Sequence, residues 1–451
     1  MWSFADRLGK LERSDNPIRV GVVGAGRFGT LSLIQMHRMP GVRIAVVADL
    51  DTNRALTALE RAGVDRSQVV VTDKEGEAAG AIREGMVVVT GDGGLASAPG
   101  VDVVLEATGS VEAGCRHALD AIARGKHIVM ATVEADVLAG PILKHLADEA
   151  GVTYSLAYGD QPALIKEMFD WATTLGFEVV AAGKGTKFLP EFRESTPDTV
   201  WGFYGHTPEE AELVGLNPKM YNSFLDGTKS AVEMVAVSNM TGLVPDVRGM
   251  HFPAASIEDI PSVLCPQADG GILQRTGVVE VVSSVYPDGT EVPNDIRWGV
   301  FVVFGTDSEY GRRAIAEYGV PVGNSGKYGI LHRPYHFVGL ETPISVVTAA
   351  LRGEATGAPM GAPVSEVIAV AKRALAPGDV LDGDGGYTVV GQAERASVAT
   401  QENLLPMGLT DGATVTVPVA KGATVSKADV TLRQGSFAAE LRARQDLLFP
   451  S

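Results

Sequence analysis

Cysteine is nearly missing from this chain. Only Cys115 and Cys265 occur among 451 residues, and neither sits in a C-x-x-C pair. That excludes a disulfide framework and a thiolate zinc site. There is no run of 18 or more apolar residues, and the segment Met1 to Lys10 lacks the apolar stretch of a secretory signal. The expectation is a cytoplasmic protein with no membrane partner. Positive charge is also short: 38 Lys and Arg stand against 55 Asp and Glu, a net charge of −17. This balance argues against nucleic acid or an anionic bilayer as partner, while a locally basic pocket can still take a phosphorylated substrate. Metal-ligand spacings such as H-E-x-x-H, internal repeats and low-complexity tracts are absent. A magnesium or manganese site built from scattered carboxylates stays open.

What is present is a long globular chain, 45% apolar, with 53 Gly and 24 Pro marking many turns. Its length calls for two or three domains. The organising stretch is Ile18 to Gly29. An apolar run, Ile18 to Val23, leads directly into Gly24-x-Gly26-x-x-Gly29 and then a helical pattern through Leu31, Leu33, Ile34 and Met36. Gly24 allows a tight turn, Gly26 lets a pyrophosphate approach the backbone, and Gly29 lets helix and strand pack closely. The helix N-terminus, with Arg27 and Phe28 in its first turn, would hold the phosphates. A second strand, Val42 to Ala48, ends at Asp49, 20 residues after Gly29. An acid there binds a ribose 2′-hydroxyl and favours NAD, whereas Arg54 nearby suits the 2′-phosphate of NADP. NADPH is the expectation, with NAD the alternative.

Strand and helix patterns alternate from there. Strands are expected at 69–72, 86–90, 101–109, 126–131 and 152–157, and helices at 51–62, 75–84 and 113–124, after a lead-in helix before Pro17. Residues 91–100 read as a loop. Thr108 and Gly109 end the 101–109 strand at the nicotinamide side. The alternation implies a doubly wound parallel sheet. A helix from Pro162 to about 175 and a strand 177–182 follow. Residues 183–226 lack periodicity and read as active-site loops; helix 228–238 and strands 278–285 and 298–305 build an α+β region. Helix 341–351 returns to the first domain. Short Val/Thr strands over 364–434 form a small β-rich region. The fold class is α/β: a Rossmann domain (1–158, plus 341–353), an α+β catalytic domain (159–340) and a β-rich C-terminal domain (361–451).

Four clusters could carry chemistry. Asp160, in Tyr158-Gly-Asp-Gln-Pro162, lies past a strand end and could bind a substrate hydroxyl, a metal or a lysine, or simply cap the next helix. Lys184 and Lys187, set among glycines, suit an anionic group. Asp226, Lys229 and Glu233 fall at i, i+3 and i+7, one face if helical, holding a lysine between carboxylates for proton transfer. Lys327, His332 and Arg333 concentrate in one stretch, 324–336, read as a loop able to hold phosphate or carboxylate.

Gly24-x-Gly26-x-x-Gly29, Asp226-Gly-Thr-Lys229 and His336 to Pro343 resemble the homoserine dehydrogenase architecture. Tyr158 to Pro162, Gly183 to Thr186 and the C-terminal part are similar to a narrower group, the 1-deoxy-D-xylulose 5-phosphate reductoisomerase-like proteins with a C-terminal SAF domain, which Arg373 to Asp379 and Val419 to Gly422 resemble. The resemblance implies NADPH-dependent conversion of 1-deoxy-D-xylulose 5-phosphate to 2-C-methyl-D-erythritol 4-phosphate, in a homodimer. Lys229 would be the counterpart of a helix-borne catalytic lysine. Asp226 and Glu233 lie beside it, Asp160 or Lys184 would complete the set, and Lys184, Lys187, Lys327 or Arg333 would anchor phosphate. The alternatives are a dehydrogenase or oxidoisomerase of another small polyol or sugar acid, and a non-catalytic nucleotide sensor.

Overall fold

The computed structural model describes residues 4–213 and 216–450, which fall into two compact units. The first comprises 4–163 and 337–361. Its seven strands are β1 (Ile18–Val23), β2 (Val42–Ala48), β3 (Val69–Val71), β4 (Val87–Thr90), β5 (Val103–Glu106), β6 (His127–Met130) and β7 (Tyr154–Leu156). They lie in the order β3-β4-β2-β1-β5-β6-β7, every neighbouring pair parallel. Parallel strands need crossovers that cover both faces, which is why β1 and β5 are almost wholly buried apolar runs. Val20, Val22, Leu33, Met36, Val47 and Leu105 share one core.

Two local findings differ from the sequence reading. The 91–100 segment contains a 3-10 turn, Gly93–Ser97, capped by Asp92. Residues 132–151, to which no element was assigned, contain the helix Val133–Glu149, with Pro141 inside it. The returning segment is also wider than 341–353, since all of 337–361 clusters with the first unit.

The second unit comprises 164–336 and 362–450. Its main sheet contains β8 (Glu178–Thr186), β9 (Val244–Pro245), β10 (Val278–Ser283), β11 (Val300–Gly305) and β12 (Tyr328–Arg333), in the order β12-β11-β8-β10-β9. The β8–β10 and β10–β9 pairs are parallel; β11 runs antiparallel to both β8 and β12. Two short ribbons follow: β13 (Ser365–Ala371) with β14 (Val389–Arg395), and β15 (Thr414–Val415) with β16 (Val430–Thr431).

The helix Thr228–Thr241 lies inside this unit and is buried on every side, Lys229 being its one half-buried residue. Its buried polar side chains need hydrogen-bond partners, and part of the enclosure comes from the C-terminal region. Asn239 Oδ1 accepts the backbone N–H groups of Val364 and Ser365, and Ser238 Oγ meets Ser365 Oγ at 2.6 Å. Residues 362–450 form the small C-terminal β-rich region and cluster with 164–336 in one compact unit. The 183–226 segment is also more regular than expected. β8 continues to Thr186, and the short helices Val200–Tyr204, Pro208–Leu213 and Pro218–Leu225 follow.

Candidate functional site

In the first unit the glycine turn separates two kinds of requirement. Gly24 has φ +96°, and a Cβ there would lie 2.5 Å from the carbonyl of Ala107. A Cβ on Gly29 would lie 2.0 Å from the carbonyl of Gly24. Both glycines are therefore demanded by the protein itself. Gly26 is different: its φ of −69° suits any residue, and an added Cβ would meet nothing within 4 Å. The fold leaves exposed open space over Gly26, at the start of the helix Arg27–Met36, whose first N–H groups lack intrahelical acceptors. A phosphate fits that cradle.

Asp49 braces the turn. Its Oδ2 accepts the Ala25 N–H at 2.8 Å and its Oδ1 the Asp51 N–H at 2.9 Å. Beside it lies a pocket of about 320 Å³ whose lining includes Ala25, Thr30, Asn53, Arg54 and Arg61. Arg54 thus faces the position next to the turn, and Arg61, which the sequence reading passed over, joins it about two helical turns on. At the end of β5, Thr108 Oγ1 donates to buried Glu106 at 2.5 Å and accepts the Ser110 N–H, while the Gly109 N–H is held by Thr132. These two residues shape the turn. Asp160 is buried, and its Oδ1 accepts the N–H of Gln161, the first residue of the next helix.

In the second unit the expected Asp226–Lys229–Glu233 face does not form as one face. Asp226 is the C-cap of the helix Pro218–Leu225, and Gly227, at φ +89°, separates it from the helix that carries Lys229 and Glu233. The carboxylates instead find distant lysines. Glu233 pairs with Lys184 of β8, both side chains buried. Asp226 Oδ2 accepts a hydrogen bond from Lys372 Nζ at 2.6 Å. Lys372 also donates to the carbonyls of Ser195 and Gly386, each at 2.9 Å. Burial raises the Asp226 pKa, with the Lys372 charge pulling the other way. Lys372 follows the apolar strand β13 and lies 146 residues from Asp226, so local spacing gave no signal of it.

Lys184 sits within β8, not in a loop. The ladder aligns Lys184 with Val300 and Val300 with Arg333. Partners directly opposite share a face, so Lys184 and Arg333 lie on one side of the sheet, two strand spacings or roughly 10 Å apart. Gly183, Phe301 and His332 form the adjacent row and face the other side. The 324–336 stretch is thus largely the strand β12, and it does not gather its cations. Lys327 pairs with Asp269, burial lowers the His332 pKa, and Arg333 stacks on Tyr335 at 4.8 Å. Lys187 donates to the Phe203 carbonyl at 2.8 Å.

For a divalent cation the donor set does not fit. Asp226 and Glu233 each hold a lysine, and among the described residues no three His, Cys, Asp or Glu side chains gather as ligands. No helix among them is long and apolar enough to cross a membrane.

Comparison with known proteins defines the class first. Residues 18–158 match the profile described as "Oxidoreductase family, NAD-binding Rossmann fold", of the GFO/IDH/MocA group. Residues 159–342 match "Oxidoreductase DRL, catalytic domain". The N-terminal unit thus has a Rossmann fold, and its match is to an NAD-binding domain. Among individual proteins, an inositol 2-dehydrogenase of Rubrobacter xylanophilus is 49% identical over 49 residues, 11% of this chain. The match spans 14% of that relative's length. A putative myo-inositol dehydrogenase from Sinorhizobium meliloti is 12% identical over 75% of this chain and 90% of its own, with a TM-score of 0.38. A 1-deoxy-D-xylulose 5-phosphate reductoisomerase from Zymomonas mobilis in complex with NADPH is 18% identical over 49% and 57%, with a TM-score of 0.33.

Proposed function

We propose that the protein is an NADP-dependent oxidoreductase acting on a small polyol or sugar acid. The observation that carries the reading is Gly26, a glycine that no protein atom requires, set at a helix start within a turn whose other two glycines are sterically obligatory. Arg54 and Arg61, lining the pocket beside the turn, support the 2′-phosphorylated cofactor, and Asp49 serves as a brace with both oxygens on backbone N–H groups. When bound, the nicotinamide would accept a hydride from a carbinol carbon or supply one to a carbonyl carbon.

The chain's own part is to move the matching proton and hold the oxygens. Lys229 takes the first role, as the half-buried residue on an otherwise buried helix. Glu233, one turn further along the same face, has its charge offset by Lys184. A polyhydroxylated substrate suits a site whose ionised groups are paired, since hydroxyls need hydrogen bonds more than a counter-charge. Rearrangement of 1-deoxy-D-xylulose 5-phosphate demands in addition a phosphate anchor, and three of its candidates, Lys184, Lys187 and Lys327, are engaged by Glu233, the Phe203 carbonyl and Asp269.

The test follows nicotinamide absorbance with purified protein and NADP(H) or NAD(H). The panel holds myo-inositol, sugar acids, aspartate semialdehyde and 1-deoxy-D-xylulose 5-phosphate with magnesium. Turnover of a polyol or sugar acid supports the proposal, and turnover of the phosphorylated ketose alone replaces it with the reductoisomerase. Cofactor binding without turnover of any compound favours a sensor. Lys229→Ala is expected to lower turnover about 10²- to 10⁴-fold while leaving cofactor affinity nearly unchanged.

A further inference from the structure

We propose that Asp226, held in place by Lys372 of the C-terminal β region, is a positioning residue that sets Lys229 by way of the Thr228 N–H. This rests on the reading of Lys229 as the proton-transfer group. An ammonium has three donors, and Lys372 spends all three inside the protein: on Asp226 Oδ2, the Ser195 carbonyl and the Gly386 carbonyl. Its side chain is 3% exposed and that of Asp226 is 0% exposed.

The other oxygen of Asp226 accepts the Thr228 N–H at 2.8 Å. That donor lies in the first turn of the helix, where N–H groups need an outside acceptor. The formal N-cap is Gly227, which has no side chain to give, so Asp226 takes the cap's place. Thr228 is tied a second time from the same region. Gly391 of β14 donates its N–H to Thr228 Oγ1 at 2.9 Å, and a Cβ on Gly391 would press on Thr228 Cγ2 at 2.9 Å. The residue immediately before Lys229 is therefore held from two directions by residues 372–391. An apolar pair could fill the volume of Lys372 and Asp226 with no loss of stability, but it would present no acceptor to Thr228. The Asp226 acceptor thus does something packing alone does not.

The test separates the cap from the charge. Lys372→Met alone strands a buried carboxylate and can fail to fold, so the informative proteins are the doubles D226N/K372M and D226L/K372M. Asn keeps an acceptor for the Thr228 N–H; Leu does not. Each is assayed for turnover on the compound the panel identifies and for cofactor affinity by nicotinamide fluorescence. Lys229 is followed directly by reductive ¹³C-methylation and NMR titration, its resonance assigned with Lys229→Arg. D226N/K372M is expected to keep kcat within a few-fold and the parent Lys229 titration. D226L/K372M is expected to lose kcat about tenfold or more at little-changed KM, as a small misplacement of a reacting group does, with the Lys229 midpoint displaced. Equal kcat and equal Lys229 titration in the two doubles would overturn the proposal, as would a loss of kcat that only tracks the unfolded fraction. Full turnover by Lys229→Ala would remove the reading of Lys229 and this proposal with it. An inactive Lys229→Ala beside two indistinguishable doubles would remove the positioning role alone.

Discussion

The glycine turn of the first unit and the Lys229 helix of the second solve opposite problems. Around Gly24, Gly26 and Gly29 the work is done by backbone: two positions closed to any side chain, one left open, and a helix end with free donors. Around Thr228–Thr241 it is done by ionised side chains brought from far along the chain, Lys184 to Glu233 and Lys372 to Asp226. The units also treat buried carboxylates differently. Asp226 has a lysine. Asp136, wholly buried in the first unit, has the hydroxyl of Tyr154 at 2.9 Å and an Oδ2 without a hydrogen bond, and burial pushes its pKa up to about 7. Burial raises the pKa of both acids; at Asp226 the charge and hydrogen bond of Lys372 oppose the rise, whereas at Asp136 only the Tyr154 hydroxyl does.

The sharpest way to break that contrast is to remove the cation. Lys372→Met should cost roughly 3–5 kcal/mol, as breaking a buried pair from one side does. Denaturant unfolding checks this, and a loss below about 1 kcal/mol would make the pair no more important than a surface one. Asp136 should show the opposite sensitivity. Its folded pKa is raised above the unfolded value of 3.8, so its stabilising contribution is complete below about pH 4 and is lost as pH rises through 7. At roughly 1.4 kcal/mol per pKa unit the loss is a few kcal/mol. Asp136→Asn should flatten that part of the stability–pH curve, and an unchanged curve would mean the carboxyl does not titrate there. The smallest effect sharpens the cofactor side: Arg54→Ala should weaken NADPH binding about tenfold, near 1.4 kcal/mol, and leave NADH binding alone. An equal loss for both would detach Arg54 from the 2′-phosphate.

The same contrast explains what could be read from the sequence. The parallel sheet was legible because its strands are continuous apolar runs broken by glycine turns, and Gly24-x-Gly26-x-x-Gly29 states its geometry within twelve residues of β1's start. Asp49 was legible as the acid that follows β2, while its use as a brace depended on where the Ala25 N–H points. In the second unit, Asp226, Lys229 and Glu233 are close in sequence and gave an appealing i, i+3, i+7 face. A single left-handed glycine, Gly227, divides it. Lys372 could not be anticipated, because nothing local to a lysine after an apolar strand names a carboxylate 146 residues earlier. His332 and Arg333 look equivalent as neighbours, yet strand alternation sends them to opposite faces once 328–333 is known to be β12.

The central claim is that the first unit's turn is shaped for a dinucleotide and not merely for the fold. Gly26→Ala tests it most directly, because alanine there strains no dihedral and touches no protein atom within 4 Å. Thermal unfolding and the dissociation constants for NADPH and NADH would be measured on parent and variant together. The account predicts an unchanged unfolding midpoint and at least about a tenfold loss of cofactor affinity. Unchanged affinity, or a midpoint that falls in step with it, would contradict the account and make Gly26 one more structural glycine.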